Sequence, residues 1–191
     1  MKEQWLELKY VPLSQARRWD SNPKKHDLAA LERSIRRHGF RNPPLFDATL
    51  GALVAGNGRS EVLERMMASD QDRPKGIGLA DDGQWLVPVI FGLDAVSQAA
   101  ATAFAVDANA TVLLGAGLDL PGLLSIWDEE VLGQVLNEMP EAGALLESFN
   151  TADLDALLNG PDFEPMAAEE QPRLDRKKVI SCPECGHEFR P

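Results

Sequence analysis

The segment Leu53–Glu61, LVAGNGRSE, has the residue types and spacing best suited to binding a phosphorylated ligand. A short apolar run ends at Gly56 and Gly58, and glycine permits backbone conformations and a close approach of ligand that other residues do not. A helix is predicted to follow, so that its unpaired N–H groups and positive dipole end face the turn. Arg59 adds a planar donor fork that fits phosphate oxygens. These features predict a phosphate-holding turn between a strand and a helix.

A second reactive group, Cys182, Cys185 and His187, lies near the C-terminal end in the segment SCPECGHEF. A Cys-x-x-Cys followed by glycine resembles one knuckle of a zinc ribbon, and His187 is a candidate third ligand. A closed structural site needs four ligands, and the chain has only these two cysteines. Either another chain completes the site, or the segment is a vestigial half-ribbon. A structural disulfide is less favoured than both, because the chain shows no sign of secretion.

The elements that position the turn are predicted from hydrophobic periodicity and turn residues. A helix is predicted from the N-cap Asp27 to the C-cap Gly39. The strand predicted at 85–91 contains Pro88, which indicates an edge strand or a bulge. The remaining elements are strands at 5–11, 44–47 and 52–55, helices at about 59–67 and 94–106, and short helices at 120–138, 141–149 and 151–158.

Composition and charge restrict the classes of function. With 44% hydrophobic and 26% charged residues, the chain is typical of a globular protein, and no apolar run is long enough for a transmembrane helix. The N-terminal residues lack the apolar segment of a secretory signal, so a cytoplasmic location is expected. Residues 1–65 carry 12 Lys/Arg and 8 Asp/Glu, whereas residues 66–191 carry 7 and 22. An anionic ligand is therefore expected to bind the first third of the chain.

The order of several spaced motifs resembles the ParB/sulfiredoxin-like domain over about residues 6–112, and is most similar to ParB-like proteins of phages and mobile elements. The motifs are Val11-Pro-Leu, Asn22-Pro, Leu31-Glu-Arg-Ser-Ile35, His38-Gly-Phe40, Pro43-Pro-Leu, Leu53-Val-Ala-Gly-Asn-Gly-Arg59 and Val87-Pro-Val. The resemblance implies a small α/β domain whose turn cradles the phosphates of a nucleotide. That nucleotide is CTP in chromosome-partition members, ATP in sulfiredoxins, and ADP or ATP in related free-serine kinases.

The departures from the family pattern bear on catalysis. Partition proteins place a Glu that supports CTP hydrolysis where this chain has Asn57, and of the two arginines that follow it only Arg59 is present. Sulfiredoxins have their reactive Cys at the position of Asn57, so their redox chemistry is excluded, although their Arg and Glu match Arg59 and Glu61. The downstream Glu-Asn of the family is matched at Asn109 but not at Ala108. Binding is therefore better supported than hydrolysis.

The predicted fold class is α/β (α+β), with a small mixed sheet, a helical extension and a zinc-knuckle-like tail. The expected segments are a nucleotide-binding domain at 1–112, the helical extension at 113–160, an acidic linker at 161–178 and the tail at 179–191. The residues expected to bind nucleotide or phosphate are Gly56, Asn57, Gly58, Arg59, Ser60, Glu61 and Asn109. The expected ligand is a nucleoside triphosphate or diphosphate (CTP, ATP or ADP), with Mg²⁺ as its candidate companion and Zn²⁺ as the candidate metal of the tail.

Three functions are compatible with this pattern. The first is a phage or mobile-element nucleotide-binding module acting in DNA metabolism, modification or regulation. The second is a small kinase or NTPase that uses the same pocket, although no catalytic residue is assigned. The third is a DNA-binding protein that uses the Arg33–Arg41 face.

The helical extension bears on the choice of partner. Residues 120–158 contain no Lys or Arg, so they lack the phosphate contacts of a helix-turn-helix, and only weak, non-specific DNA binding is expected. These helices are expected to pack on the domain or to contact a protein partner. Self-association is expected to use residues 120–158 or the tail.

Overall fold

The structure is a computed structural model that describes residues 5–115, 122, 125–159, 180–181 and 188–189. The chain divides into two compact units, residues 1–160 and residues 161–191. In the described part of the chain, no helix is long and apolar enough to cross a membrane.

One small mixed sheet forms the centre of the first unit. Its strands are β1 (Glu7–Pro12), β2 (Leu45–Asp47), β3 (Ala52–Ala55), β4 (Gly78–Leu79) and β5 (Trp85–Phe91). They are arranged in the order β1-β5-β2-β3, and β4 also pairs with β5. The β1–β5, β2–β3 and β4–β5 pairs are antiparallel, whereas β2 and β5 run parallel. The predicted α/β class with a small mixed sheet is confirmed.

Two helices, α1 (Leu28–His38) and α2 (Asn57–Ala68), pack against this sheet. As predicted, α1 begins after Asp27, whose carboxylate accepts the Ala30 N–H (2.9 Å), and ends at Gly39, which has φ 78°. The core between helices and sheet is made of buried apolar side chains, among them Ile35, Leu53, Val62, Leu63, Met66, Val87 and Val89. This packing fixes the start of α2 at the end of β3.

Pro88 lies on an inner strand, so the prediction of an edge strand or bulge was wrong. The Ile90 N–H donates to the Pro44 carbonyl (2.9 Å), and alternation places the Pro88 nitrogen on that same side of β5. On this side β4 pairs with Trp85 and Leu86, and β2 pairs at Ile90. Pro88 thus faces the interval between two short strands, where its missing N–H leaves no ladder partner unsatisfied.

The helix that follows β5, α3 (Gln98–Leu114), runs eight residues beyond its predicted end at Val106. Polar side chains after Val106 form hydrogen bonds inside the fold. The Asn109 amide donates to the Ala105 carbonyl (2.9 Å), and the Asp107 carboxylate accepts the N–H groups of residues 147 and 148. The expected division at residue 112 therefore falls within a helix.

The helical extension consists of α4 (Glu129–Glu138), α5 (Pro140–Gly143) and α6 (Thr151–Asn159). It packs around the fully buried Trp127, together with residues of α3. Just before α4, two backbone hydrogen bonds join the extension to the loop preceding α1. Lys25 N–H donates to Ile126 O (2.8 Å), and Asp128 N–H donates to Pro23 O (2.7 Å).

The second unit contains the strands β6 (Ile180–Ser181) and β7 (Glu188–Phe189), which pair antiparallel. The predicted linker at 161–178 and the candidate zinc ligands Cys182, Cys185 and His187 lie outside the described residues. The zinc site of the tail stays a prediction.

The Asp47 carboxylate on β2 accepts hydrogen bonds from three backbone N–H groups, and its removal should destabilise the fold. It is 4% exposed, and it accepts the N–H groups of Thr49 (2.8 Å), Leu50 (2.9 Å) and Ala95 (2.8 Å). Asp47→Ala should lower the free energy of unfolding by about 3 kcal/mol, because three partly buried N–H groups are left without their acceptor. The exposed Asp82 forms a similar local turn, and Asp82→Ala should cost less than about 1 kcal/mol. Urea denaturation measures both, and equal losses would contradict this account of Asp47.

Candidate functional site

The turn between β3 and α2 is shaped by Gly56, the N-cap of α2. Its φ of 92° is left-handed, and a Cβ at this position would lie 2.6 Å from the Pro44 Cβ. The first hydrogen bond within α2 joins Ser60 N–H to Gly56 O (3.1 Å), and no side chain caps the helix. The N–H groups of Asn57, Gly58 and Arg59 therefore have no carbonyl acceptor within the helix and remain available at its positive end.

A cavity of about 180 Å³ lies at this N-terminus. It is lined by the end of β3 and the β3–α2 turn, by the loop that precedes α1, and by one side chain each of α1 and α3. The lining residues are Asn22, Lys24, His26, Leu31, Val54, Ala55, Gly56, Asn57, Gly58, Arg59 and Asn109. We call this cavity the α2 cleft.

Two cationic side chains, Lys24 and Arg59, share the α2 cleft. Burial lowers the pKa of Lys24 below its ordinary value, and repulsion from the Arg59 guanidinium lowers it further. Burial also lowers the pKa of Arg59. Within residues 5–115 and 125–159, neither side chain forms an ion pair with a carboxylate, and the buried Arg59 Nε has no hydrogen-bond partner. The cleft thus concentrates positive charge that the described part of the chain does not neutralise.

Asn109 holds Lys24 in place. Its Oδ1 accepts a hydrogen bond from Lys24 Nζ (2.5 Å), while its Nδ2 donates to Ala105 O within α3 (2.9 Å). The amide oxygen thus contacts the ammonium group, and the amide nitrogen anchors the Asn109 side chain to α3. The structure assigns Asn109 a positioning role, and the direct nucleotide contact implied by the resemblance stays a prediction.

His26 packs against Gly58, the second glycine of the β3–α2 turn. A Cβ added to Gly58 would lie 2.6 Å from His26 Cγ, so only glycine leaves room for the ring. His26 Nε2 lies 3.2 Å from Asn22 Nδ2. Burial lowers the pKa of His26 most; Lys24, Arg59 and Arg18 also lower it, and Glu61 opposes them. The lowered pKa favours the neutral form of the imidazole beside the two cations.

The Asn57 side chain is part of the scaffold. It is buried, with its Oδ1 accepting the Trp19 N–H (2.8 Å) and its Nδ2 donating to Leu53 O (3.0 Å). These bonds tie the loop before α1 to the end of β3. Asn57 therefore lines the α2 cleft with its amide group already bonded elsewhere.

Ser60 and Glu61, two further residues predicted to bind phosphate, do not line the α2 cleft. Ser60 is fully buried, and within the described residues its Oγ has no partner. The Glu61 carboxylate pairs with Arg18 (3.5 Å) and Arg65 (2.5 Å). The other predicted site residues, Gly56, Asn57, Gly58, Arg59 and Asn109, all line the cleft. Phosphate binding by any of them stays a prediction.

Sequence reasoning missed Lys24 and Asn22, and it gave His26 no definite role. All three lie in a polar loop without periodicity, where nothing in the sequence distinguishes Lys24 from its neighbour Lys25. The one sequence feature that pointed to this loop was the Asn22-Pro23 pair, which is among the spaced motifs that resemble the ParB/sulfiredoxin-like domain. In the described residues, no group of three or more His, Cys, Asp or Glu is placed to hold a metal ion.

No protein-family model and no curated protein matches this sequence. Among solved structures, the chain is similar to the C2221 form of a Pnob8-like ParB-N domain, with 16% identity and a TM-score of 0.41. The alignment covers 77% of this chain and 52% of the other, so this chain spans about half the length of that ParB-N chain. The similarity is one of fold alone, and it carries no information about a ligand.

The His26 environment predicts a measurable titration. Its pKa should lie below the ordinary 6.5, and Lys24→Met should raise it by removing one of the repelling charges. Because the lowered pKa favours the neutral ring in the folded state, this contribution to stability is complete above pH 6.5 and is lost as pH falls through the folded pKa.

Proton NMR of the imidazole over pH 4–9, a range chosen to span about two units either side of the reference value, measures this pKa. Lys25→Met provides the matched control, because Lys25 is exposed and does not line the cleft. A His26 pKa that is unchanged in Lys24→Met, or that already lies above 6.5 in the parent protein, would contradict the geometry described here.

Proposed function

We propose that the α2 cleft binds the phosphate groups of a nucleotide. The observation that carries the proposal is the uncompensated pair of Lys24 and Arg59 beside the free N–H groups at the start of α2. A phosphate group offers acceptor oxygens to these N–H groups, to the Lys24 ammonium group and to the Arg59 guanidinium. It would also remove the repulsion between the two cations, since its negative charge compensates both.

The size of the cleft supports phosphate groups as the part of the ligand that enters it. At about 180 Å³ it is smaller than the about 300–1,000 Å³ of pockets that enclose a whole organic ligand. The phosphates are therefore proposed to occupy the cleft, with the sugar and base at its mouth. Mg²⁺, as the usual companion of a triphosphate, would then be held mainly by phosphate oxygens and water.

Catalysis is the alternative use of the same pocket. Hydrolysis or phosphoryl transfer requires a group that orients or deprotonates the attacking nucleophile. Asn57 occupies the position at which partition proteins have their Glu, and its amide is hydrogen-bonded to Trp19 and Leu53. We therefore favour a binding module acting in DNA metabolism, modification or regulation, as the motif resemblance suggests, over a kinase or NTPase.

Calorimetric titration of the protein with CTP, ATP, ADP and GTP, with and without Mg²⁺, tests the proposal. We expect saturable binding of at least one nucleotide and weaker binding of its nucleoside, which lacks the phosphates. Equal binding of nucleotide and nucleoside would contradict the phosphate assignment. Product analysis of the bound nucleotide separates the binding module from the enzyme, because only the enzyme releases phosphate or transfers it.

Substitution of Lys24 or Arg59 should weaken nucleotide binding, whereas substitution of cationic residues near them in the chain should not. Arg59→Ala and Lys24→Met should each reduce affinity by about 1.5–3 kcal/mol, the range for a hydrogen bond to a charged group. Arg59→Lys should recover only part of the loss, because it keeps the charge but not the planar fork. Calorimetry against the nucleotide that binds the parent protein measures each change.

The matched controls are Arg65→Ala, on the same helix, and Lys25→Met, next to Lys24 in the chain. Both residues are exposed and lie outside the cleft lining, so affinity should remain within about twofold, or roughly 0.4 kcal/mol. Nucleotide binding by Arg59→Ala that equals binding by the parent protein would remove Arg59 from the site.

DNA binding remains the second candidate, on the evidence of the outward side of α1. Arg33, Arg36, Arg37 and Arg41 are all exposed, and Arg36 pairs with Glu32 (2.9 Å). This surface is basic, but it lies in a chain with a formal net charge of −11. Such a patch supports attraction to phosphate backbones without the base contacts that give sequence specificity.

Duplex binding should accordingly be weak, independent of sequence and steeply dependent on salt. Arg33→Ala combined with Arg37→Ala should nearly abolish it, whereas Arg59→Ala should leave it almost unchanged. Fluorescence anisotropy with two unrelated duplexes at several salt concentrations measures both properties. Tight, sequence-selective binding at physiological salt would promote the DNA-binding function over the one proposed.

A further inference from the structure

The strand β1 presents an uncovered apolar row. Leu6, Leu8 and Tyr10 alternate along the chain and are 60%, 55% and 54% exposed. They share the face of the sheet opposite to the core under α1 and α2, because Val11 pairs with Val87 of that core and alternate residues of a strand point to opposite faces. Single exposed apolar residues are ordinary, but Leu8 and Tyr10 of β1, together with Leu6 directly before it, form an exposed row of the kind that is typical of an interaction surface.

The backbone of β1 is also open on one side. β1 lies at one end of the strand order, and among the residues that the structure describes it pairs only with β5. At the other end, β3 is covered, because the Leu53 N–H donates to Arg17 O (2.9 Å) and Arg18 forms a bridge with Leu53. A free strand edge next to an apolar row is a template for pairing with another strand.

The charges of β1 identify the strand that fits this edge. Glu7 and Lys9 flank Leu8 and form an ion pair within the strand (2.7 Å), with side chains 63% and 51% exposed. If a second β1 runs antiparallel and is centred on Leu8, Glu7 of each copy faces Lys9 of the other. In the same register Leu6 faces Tyr10, so apolar residues also meet across the two strands.

We propose that β1 pairs antiparallel with β1 of a second copy of this chain, with the two Leu8 residues directly opposite each other. The pairing continues the sheet across both copies and places two opposite-charge pairs and two Leu–Tyr pairs across the junction. It extends the apolar row of one copy into that of the other. It involves no residue of the α2 cleft, so it holds whether or not the cleft binds a nucleotide.

A charge-exchange experiment tests the register. Glu7→Lys and Lys9→Glu should each weaken self-association about tenfold, because each sets like charges opposite each other at two positions. An equimolar mixture of the two variants should restore association, since every facing pair in the mixed dimer is then of opposite charge. The double exchange, Glu7→Lys with Lys9→Glu, should restore it too.

Sedimentation equilibrium of the full chain over a wide range of concentration measures these effects. EDTA is included to exclude self-association through a metal ion at the tail cysteines. Asp82→Lys, a charge reversal in an exposed turn away from β1, is the control and should not change association. Thermal melts verify that each variant is folded.

Four results bear on the proposal. A concentration-dependent dimer that is weakened by each single variant and restored by their mixture supports it. A parent protein that stays monomeric at every concentration overturns it. Self-association that is equally strong in the parent protein, in Glu7→Lys and in Lys9→Glu would place the interface elsewhere and would also overturn the proposal. Loss in the single variants without recovery in the mixture contradicts the antiparallel register centred on Leu8.

Discussion

Two like charges, Lys24 and Arg59, lie together in a half-buried cleft without a carboxylate from the described part of the chain. Desolvation and mutual repulsion both oppose this arrangement, so the surrounding fold has to hold each cation by other means. Arg59 is carried by the first turn of α2, whose position is set by the buried faces of β3 and α2. Lys24 lies on a loop and depends on contacts from outside it.

Through those contacts the helical extension supports the loop that carries Lys24. The backbone of Pro23–Lys25 is bonded to Ile126 and Asp128, and Asn109 of α3 receives the Lys24 ammonium group. Trp127, between the two bonded residues, is fully buried in the core of the extension. The extension therefore fixes the loop that completes the cleft, in addition to packing on the domain. A ligand bound to Lys24 would therefore contact a loop that is hydrogen-bonded to the segment just before α4.

The turn and its flanking elements were predictable because their signals are local. Glycine spacing, the Asp27 and Gly39 caps and the apolar runs of β3 and β5 each specify conformation within a few residues. The residues that complete the cleft were not predictable in this way, since Lys24 reaches Asn109 across 85 positions of the chain. The same applies to Pro88, which an inner strand tolerates only because β4 and β2 are both short. Such features arise from tertiary pairing and leave no periodic pattern.

The central claim, that the start of α2 and its two cations receive phosphate, is tested most directly by backbone amide NMR during titration with nucleotide. N–H groups that donate to a new charged acceptor shift most. We therefore expect the largest changes at Asn57, Gly58 and Arg59, with smaller ones at Lys24 and His26. Inorganic pyrophosphate should shift the same amides, because the phosphates alone enter the cleft. Shifts centred on the exposed arginines of α1, or no shift in the β3–α2 turn at saturating ligand, would contradict the claim.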